Sequence, residues 1–256
     1  MVVSAQSFQA LKSDVDMRVI TDRHISPLWM LLPLASAVVA AGAVAVGFLS
    51  SFSGGVTPAG AVAGAFSSLW VLIIPQLLYL YFWYMMIRRR NQHFQRQAKF
   101  FADLGQALRD AAGKKGADVG PFLSSMGGAQ RQAQPDESEK SAVLWVVLML
   151  VPFVSVIAYL YVFYFLTRDF YRHERIEDGM LADAAKALSL VGAELTFHRA
   201  RPLPSRSFAL YLVLTLVTLG LFGIYWVYTL IQDPNEHFVA QAQFEDSVMQ
   251  LFAPMT

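Results

Sequence analysis

The chain has 256 residues, 55% of them apolar, a formal net charge of +1 and no cysteine. The balanced, dispersed charge excludes a nucleic-acid partner held by a basic stripe, and the lack of cysteine excludes disulfides, thiolate metal sites and cysteine nucleophiles. Ile25–Ile87, Ser141–Thr167 and Ser207–Gln232 contain no Asp, Glu, Lys or Arg, whereas a membrane span needs about 20 apolar residues and a charge at its centre costs ~2.5 kcal/mol or more. The expected class is therefore all-α: a helical integral membrane protein of the cell membrane, multi-pass, with four apolar helices and amphipathic interfacial helices.

Residues 1–25 read as a short amphipathic segment, with Phe8, Leu11, Val15 and Val19 at helical spacing. Its charges do not suit a signal peptide, so the chain is expected to be retained whole with its first span as an anchor. Residues 26–112 hold spans one (about 28–49, rich in Ala and Gly) and two (about 61–87), joined by a Ser50–Gly60 turn, and a first tail helix. Residues 113–140, rich in Gly, Ser, Gln and mixed charge, read as a flexible linker. Residues 141–200 give span three and a second tail helix. Residues 201–256 give span four and a third, where Asp233, Pro234 and Glu236 form a helix-start signal.

One phrase recurs through these units. Tyr81, Tyr84 and His93 share the spacing Tyr-x2-Tyr-x8-His with Tyr161, Tyr164, His173 and with Tyr225, Tyr228, His237. Copies one and three also share Asn91/Asn235, Phe94/Phe238 and Gln97-Ala98/Gln241-Ala242, which copy two lacks. The chain is thus three degenerate repeats of apolar segment, aromatic belt and polar helix. The tyrosines mark where helix leaves lipid, because amphipathic rings prefer the headgroup level.

Topology poses a conflict. The loop between spans one and two has no Lys or Arg, while Arg88–Lys140 has ten, so the N-terminus and first tail are expected in the cytoplasm. Four full spans then put the second tail, with seven Lys or Arg over Arg168–Arg206, outside. The alternative makes blocks three and four re-entrant hairpins bent at Pro152 and at Gly220/Gly223. Because lipid-exposed turns in hydrocarbon are costly, four full spans are the preferred reading.

The run Thr218–Tyr228, with Thr218-Leu219-Gly220, Gly223 and Tyr225-Trp226, resembles a family of small prokaryotic membrane proteins known only as a domain of unknown function. Val143–Tyr164 looks like a second apolar segment found in such proteins, so the resemblance lies mainly within 143–238. It implies an integral membrane protein and carries no activity, substrate or site.

His93, His173 and His237 are the candidate metal ligands, since three repeat copies about a pseudo-threefold axis would bring three imidazoles together. No Asp or Glu recurs beside each histidine, so the plainer reading, a histidine at the start of an interfacial helix, is preferred. Asp103 and Asp183 share a repeat position and suit salt bridges better than acid catalysis. No phosphate loop, nucleophile elbow or HExxH motif appears, so catalytic residues and cofactors are assigned to none. The expected function is a non-catalytic scaffold, membrane organiser or accessory subunit. Its partners would be the lipid bilayer and either further copies or partner membrane subunits. The alternative is an oligomeric channel or small-solute transporter, although the spans offer little beyond Gln76 as a polar route. An interfacial metal-dependent enzyme comes third.

Overall fold

The computed structural model describes residues 3–52 and 58–252, side chains excepted at 40, 47, 50–52 and 58–72. The described residues form α helices and one 3-10 turn, with no strand. The elements are α1 (Ala5–Thr21), a 3-10 turn (Pro27–Leu31), α2 (Leu32–Phe52), α3 (Pro58–Lys115), α4 (Gly120–Glu137), α5 (Ala142–Leu148), α6 (Val154–Leu190), α7 (Phe208–Val217) and α8 (Leu221–Phe252). Part of the expected Ser50–Gly60 turn lies outside the described residues.

Three helices carry the repeats: α3, α6 and α8. Each runs unbroken from its apolar block through the tyrosines into its polar tail. The tails are therefore not separate interfacial helices, and the expected start at Asp233 does not exist. Pro234 sits inside α8 instead. A proline there denies the carbonyl four residues back its N–H, and Arg89 Nη2 approaches that carbonyl, Leu230 O, at 3.4 Å. Asp233 binds Arg206 at 2.6 and 2.8 Å rather than capping a helix.

Blocks three and four do not form single long helices. Block three breaks after α5 and turns through 149–153 into α6; block four breaks after α7 and turns through 218–220 into α8. Phe153 (φ 65°) and Leu219 (φ 51°) occupy the left-handed region at these two tips, and they are 92% and 95% exposed. The preferred full-span reading is thus corrected to hairpins at the anticipated bends. Pro152 and Gly220 stop the helices, and the left-handed residues reverse the chain. Among the described residues one stretch, Pro27–Val46, is long and apolar enough to cross a membrane.

The hairpins start alike. Ser26, Ser141 and Ser207 each accept a hydrogen bond from a backbone N–H two or three residues on, the N-cap role of serine. The tyrosine pairs also repeat: Tyr81–Tyr84, Tyr161–Tyr164 and Tyr225–Tyr228 have ring centroids 6.5, 6.4 and 6.2 Å apart.

The tails of α3, α6 and α8 meet in one bundle, so all three lie on one side of the tyrosines. Two apolar cores flank a polar layer. One lies among the tyrosine-level segments, around Trp83, Ile87, Val162, Phe165 and Ile231. The other lies among the tails, around Phe100, Leu104, Leu108, Ala184, Leu188, Phe244 and Phe252. The N-terminal segment packs as α1 on α3 and α8 through Leu11 and Val15, while Val19, expected on its apolar face, is 80% exposed.

The expected linker holds α4, which packs on α6 and buries Leu123, Met126 and Ala133. Its polar composition hid a sparse apolar stripe. Its end is fixed by charge: Asp136 accepts from Arg168 and Arg172 at 2.7 Å each.

Candidate metal centre

His93, His173 and His237 lie mid-helix on α3, α6 and α8, between the two cores. They are 0, 2 and 1% exposed. They are not helix starts near headgroups. One ligand atom of each lies within 4.8 Å of the other two, and the ring centroids stand 5.0–5.4 Å apart.

Each ring is aimed by a carboxylate on Nδ1. Asp22 Oδ1 stands 3.0 Å from His93 Nδ1, Glu137 Oε1 2.6 Å from His173 Nδ1, and Glu174 Oε2 3.0 Å from His237 Nδ1. A neutral imidazole has one N–H and one lone pair. Donating Nδ1–H to a carboxylate leaves the lone pair on Nε2, and the Nε2 atoms of His93 and His237 face each other. His93 Nε2 and His237 Nε2 are 3.1 Å apart, and His173 Nε2 is buried without a hydrogen-bond partner. In this tautomer two lone pairs meet at that distance, which a cation between them would relieve; in the other, one Nε2–H donates to the facing nitrogen. Two nitrogens bound at ~2.0–2.1 Å to one tetrahedral cation would stand roughly 3.3–3.4 Å apart, close to the spacing found.

These carboxylates answer the objection that no acid recurs beside each histidine. They come from elsewhere in the chain. Asp22 and Glu137 each stand four residues before a hairpin serine, Ser26 and Ser141. The third equivalent position is Leu203, which cannot serve. There Glu174 substitutes: its Oε2 takes His237 and its Oε1 accepts from Leu203 N at 2.6 Å. The shared acid-x3-Ser spacing was the signal available in the sequence.

The surroundings are anionic. Asp22, Glu137, Glu174 and Glu177 face the ring, balanced in part by Arg96 and Arg199. Arg96 binds Asp22 at 2.5 Å and Glu245 at 2.6 Å. Arg199 binds Glu177 at 2.7 Å and Glu174 at 3.3 Å. Burial pushes the His93 imidazole down to about 4, against the pull of Asp22. Burial likewise drives His237 well below its ordinary value, helped by its two partner histidines. His173 goes the other way, because Glu137 and Glu177 outweigh burial and raise it. Burial pushes the Glu177 carboxyl up to about 7. Burial also raises Asp22, but His93 and Arg96 outweigh it and hold the carboxyl well below its usual range.

Three imidazole nitrogens, each backed by a carboxylate, form the ligand arrangement of a divalent first-row cation. The other singled-out residues lie apart. Asp103 pairs with Lys99 at 3.7 Å and Asp183 with Lys186 at 3.8 Å, both within one helix.

A family described as a domain of unknown function (DUF4234) matches residues 206–256. That match takes in the Thr218–Tyr228 run and leaves Val143–Tyr164 outside it. No curated protein and no solved structure matches the chain.

Proposed function

We propose that this protein is a membrane-embedded scaffold whose three repeats are locked together by one divalent cation on His93, His173 and His237. The observation that carries this reading is the orientation of the rings: three Nδ1 atoms on carboxylates, with the remaining nitrogens converging. The near-complete burial of the ring favours a structural role, since catalytic sites keep an open position for water or substrate. Zinc is the best-suited ion for a buried nitrogen and oxygen site of low coordination number.

Membrane embedding rests on the charge-free blocks and on where their apolar side chains point. Val143, Val147, Leu150, Val156, Ile157, Val213, Leu216 and Val217 are 50–74% exposed around the two hairpin tips. The 7 residues of α5 and the 10 of α7 rise about 10 and 15 Å. That is the depth of one leaflet, roughly 15 Å of hydrocarbon. Hairpins two and three would dip into the leaflet nearest the bundle, leaving all three tails in the cytoplasm.

The test is metal analysis of protein purified in mild detergent without added chelator, beside His93→Ala. One bound cation per chain in the wild type and none in the variant is the expected result. A wild type that holds no metal, and takes up none from added Zn2+, ends this reading.

A further inference from the structure

The three repeats place a second ring one helical turn beyond the histidines. Four residues after His93, His173 and His237 stand Gln97, Glu177 and Gln241. On a helix these share the histidines' face. Copies one and three keep the amide, and one bond joins the two glutamines: Gln241 Nε2 donates to Gln97 Oε1 at 2.9 Å, Gln97 Nε2 donates to Glu245 Oε1 at 2.7 Å, and Gln241 Oε1 is left without a partner. Copy two alone carries a carboxylate at this level.

That carboxylate is fully buried and only half satisfied. Glu177 is 0% exposed. Its Oε2 accepts from Arg199 Nη2 at 2.7 Å and lies 3.8 Å from His237 Nε2. Its Oε1 has no hydrogen-bond partner. An orphaned buried carboxylate oxygen costs ~1–3 kcal/mol or more, and His173 Nε2, one turn away on the same face, is orphaned as well. A cation held between them would satisfy both.

We propose that Glu177 is the fourth ligand of the cation held by the three histidines, closing the site as three nitrogens and one oxygen. This rests on the metal-centre reading above. Arg199 is a positioning residue. It grips one oxygen of Glu177 and is itself steadied by Glu174 and by Asp178, whose Oδ1 is 3.3 Å from Arg199 Nε. Ligating carboxylates are commonly held in this way. Arg199 also walls a cavity of about 370 Å³ bounded by Arg175, Asp178, Phe197 and His198.

The experiment uses Co2+ as the probe on the full chain in detergent, because its visible bands report coordination number and ligand type. Wild type is expected to give the intense bands of a four-coordinate site, unchanged by azide, which needs a displaceable ligand. Glu177→Gln keeps shape, and Arg199 retains Glu174 and Asp178, so the variant is expected to fold, as circular dichroism would show. It should bind Co2+ at least ~100-fold more weakly, beyond the ~10–100-fold cost of losing an outer partner, and its bands should shift on adding azide. A variant with wild-type affinity and spectrum overturns the assignment of Glu177, and so does azide shifting the wild-type spectrum, which needs no variant to fold. A wild type that takes up neither Co2+ nor Zn2+ overturns the metal centre as well, which separates the two failures.

Discussion

Asn235 holds Ile25 by both atoms of its amide: Nδ2 donates to the Ile25 carbonyl at 2.9 Å, and Oδ1 accepts from the Ile25 N–H at 3.2 Å. Asn91 does the same to Lys140, at 2.7 and 3.2 Å. Ile25 and Lys140 each immediately precede a hairpin serine, so repeat three clamps the mouth of hairpin one and repeat one clamps the mouth of hairpin two. The matching position in repeat two is Tyr171, and there Glu174, bonded to Leu203, does the equivalent work for hairpin three. The repeats are therefore interlocked in a ring rather than stacked in a row.

Asn235→Ala is expected to lose about 2–4 kcal/mol of stability. It removes two buried backbone bonds and the 2.8 Å bond from Arg89, each worth ~1 kcal/mol, with a further penalty for the groups left unpaired. Thermal unfolding in detergent measures this. A change below ~1 kcal/mol would show that the clamp is incidental.

Removing an outer carboxylate should weaken metal binding without abolishing it. Asp22→Asn and Glu174→Gln leave the three imidazoles in place but loosen their aim, and each is expected to weaken Zn2+ by ~10–100-fold. Competition with a chromophoric chelator reads the affinity. Equal affinity in wild type and both variants would contradict the role given to Nδ1.

Stripping the metal should lower the unfolding midpoint. A cation bound to the folded state alone, at about 1,000 times its Kd, adds ~4.1 kcal/mol. Scanning calorimetry with and without chelator is the check, and coincident curves would argue against a structural ion.

All three tails should lie on one side of the membrane. Gln106, Ser189 and Gln243 are exposed on tails one, two and three, and the chain has no native cysteine. Single cysteines at these positions are expected to react identically with an impermeant maleimide, being protected in intact cells and labelled after lysis. Labelling of Ser189→Cys alone in intact cells would restore four full spans.

The two strained tips should be intolerant of charge. Leu219 and Phe153 hold left-handed backbone geometry and are 95 and 92% exposed, and in the proposed membrane setting they would face hydrocarbon. Leu219→Asp is expected to cost ~2.5–3.5 kcal/mol of insertion and to reduce the yield in membranes. Leu219→Gly, which relieves the backbone, should be better tolerated.

The sequence by itself determined the repeat, the histidine in each copy, the tyrosine pairs and the helical class, because these rest on spacing along a single helix. The bends at Pro152 and Gly220 were legible as breakers, and hairpins were one of two readings they allowed: the choice between hairpins and full spans depends on where the returning helix packs. The order of α4 was hidden by its polar composition, since three buried apolar side chains and the two ion pairs of Asp136 at its end outweigh weak propensity only once α6 is beside it. The tertiary structure alone decided the chemistry. Asp22 lies 71 residues from His93, and Glu137 36 residues from His173. No local pattern reports a pairing that arises only when three repeats close into a ring. Closure also gave Glu177 its meaning: in sequence it is a departure from the repeat, and in space it is the one charged member of a ring that faces three imidazoles.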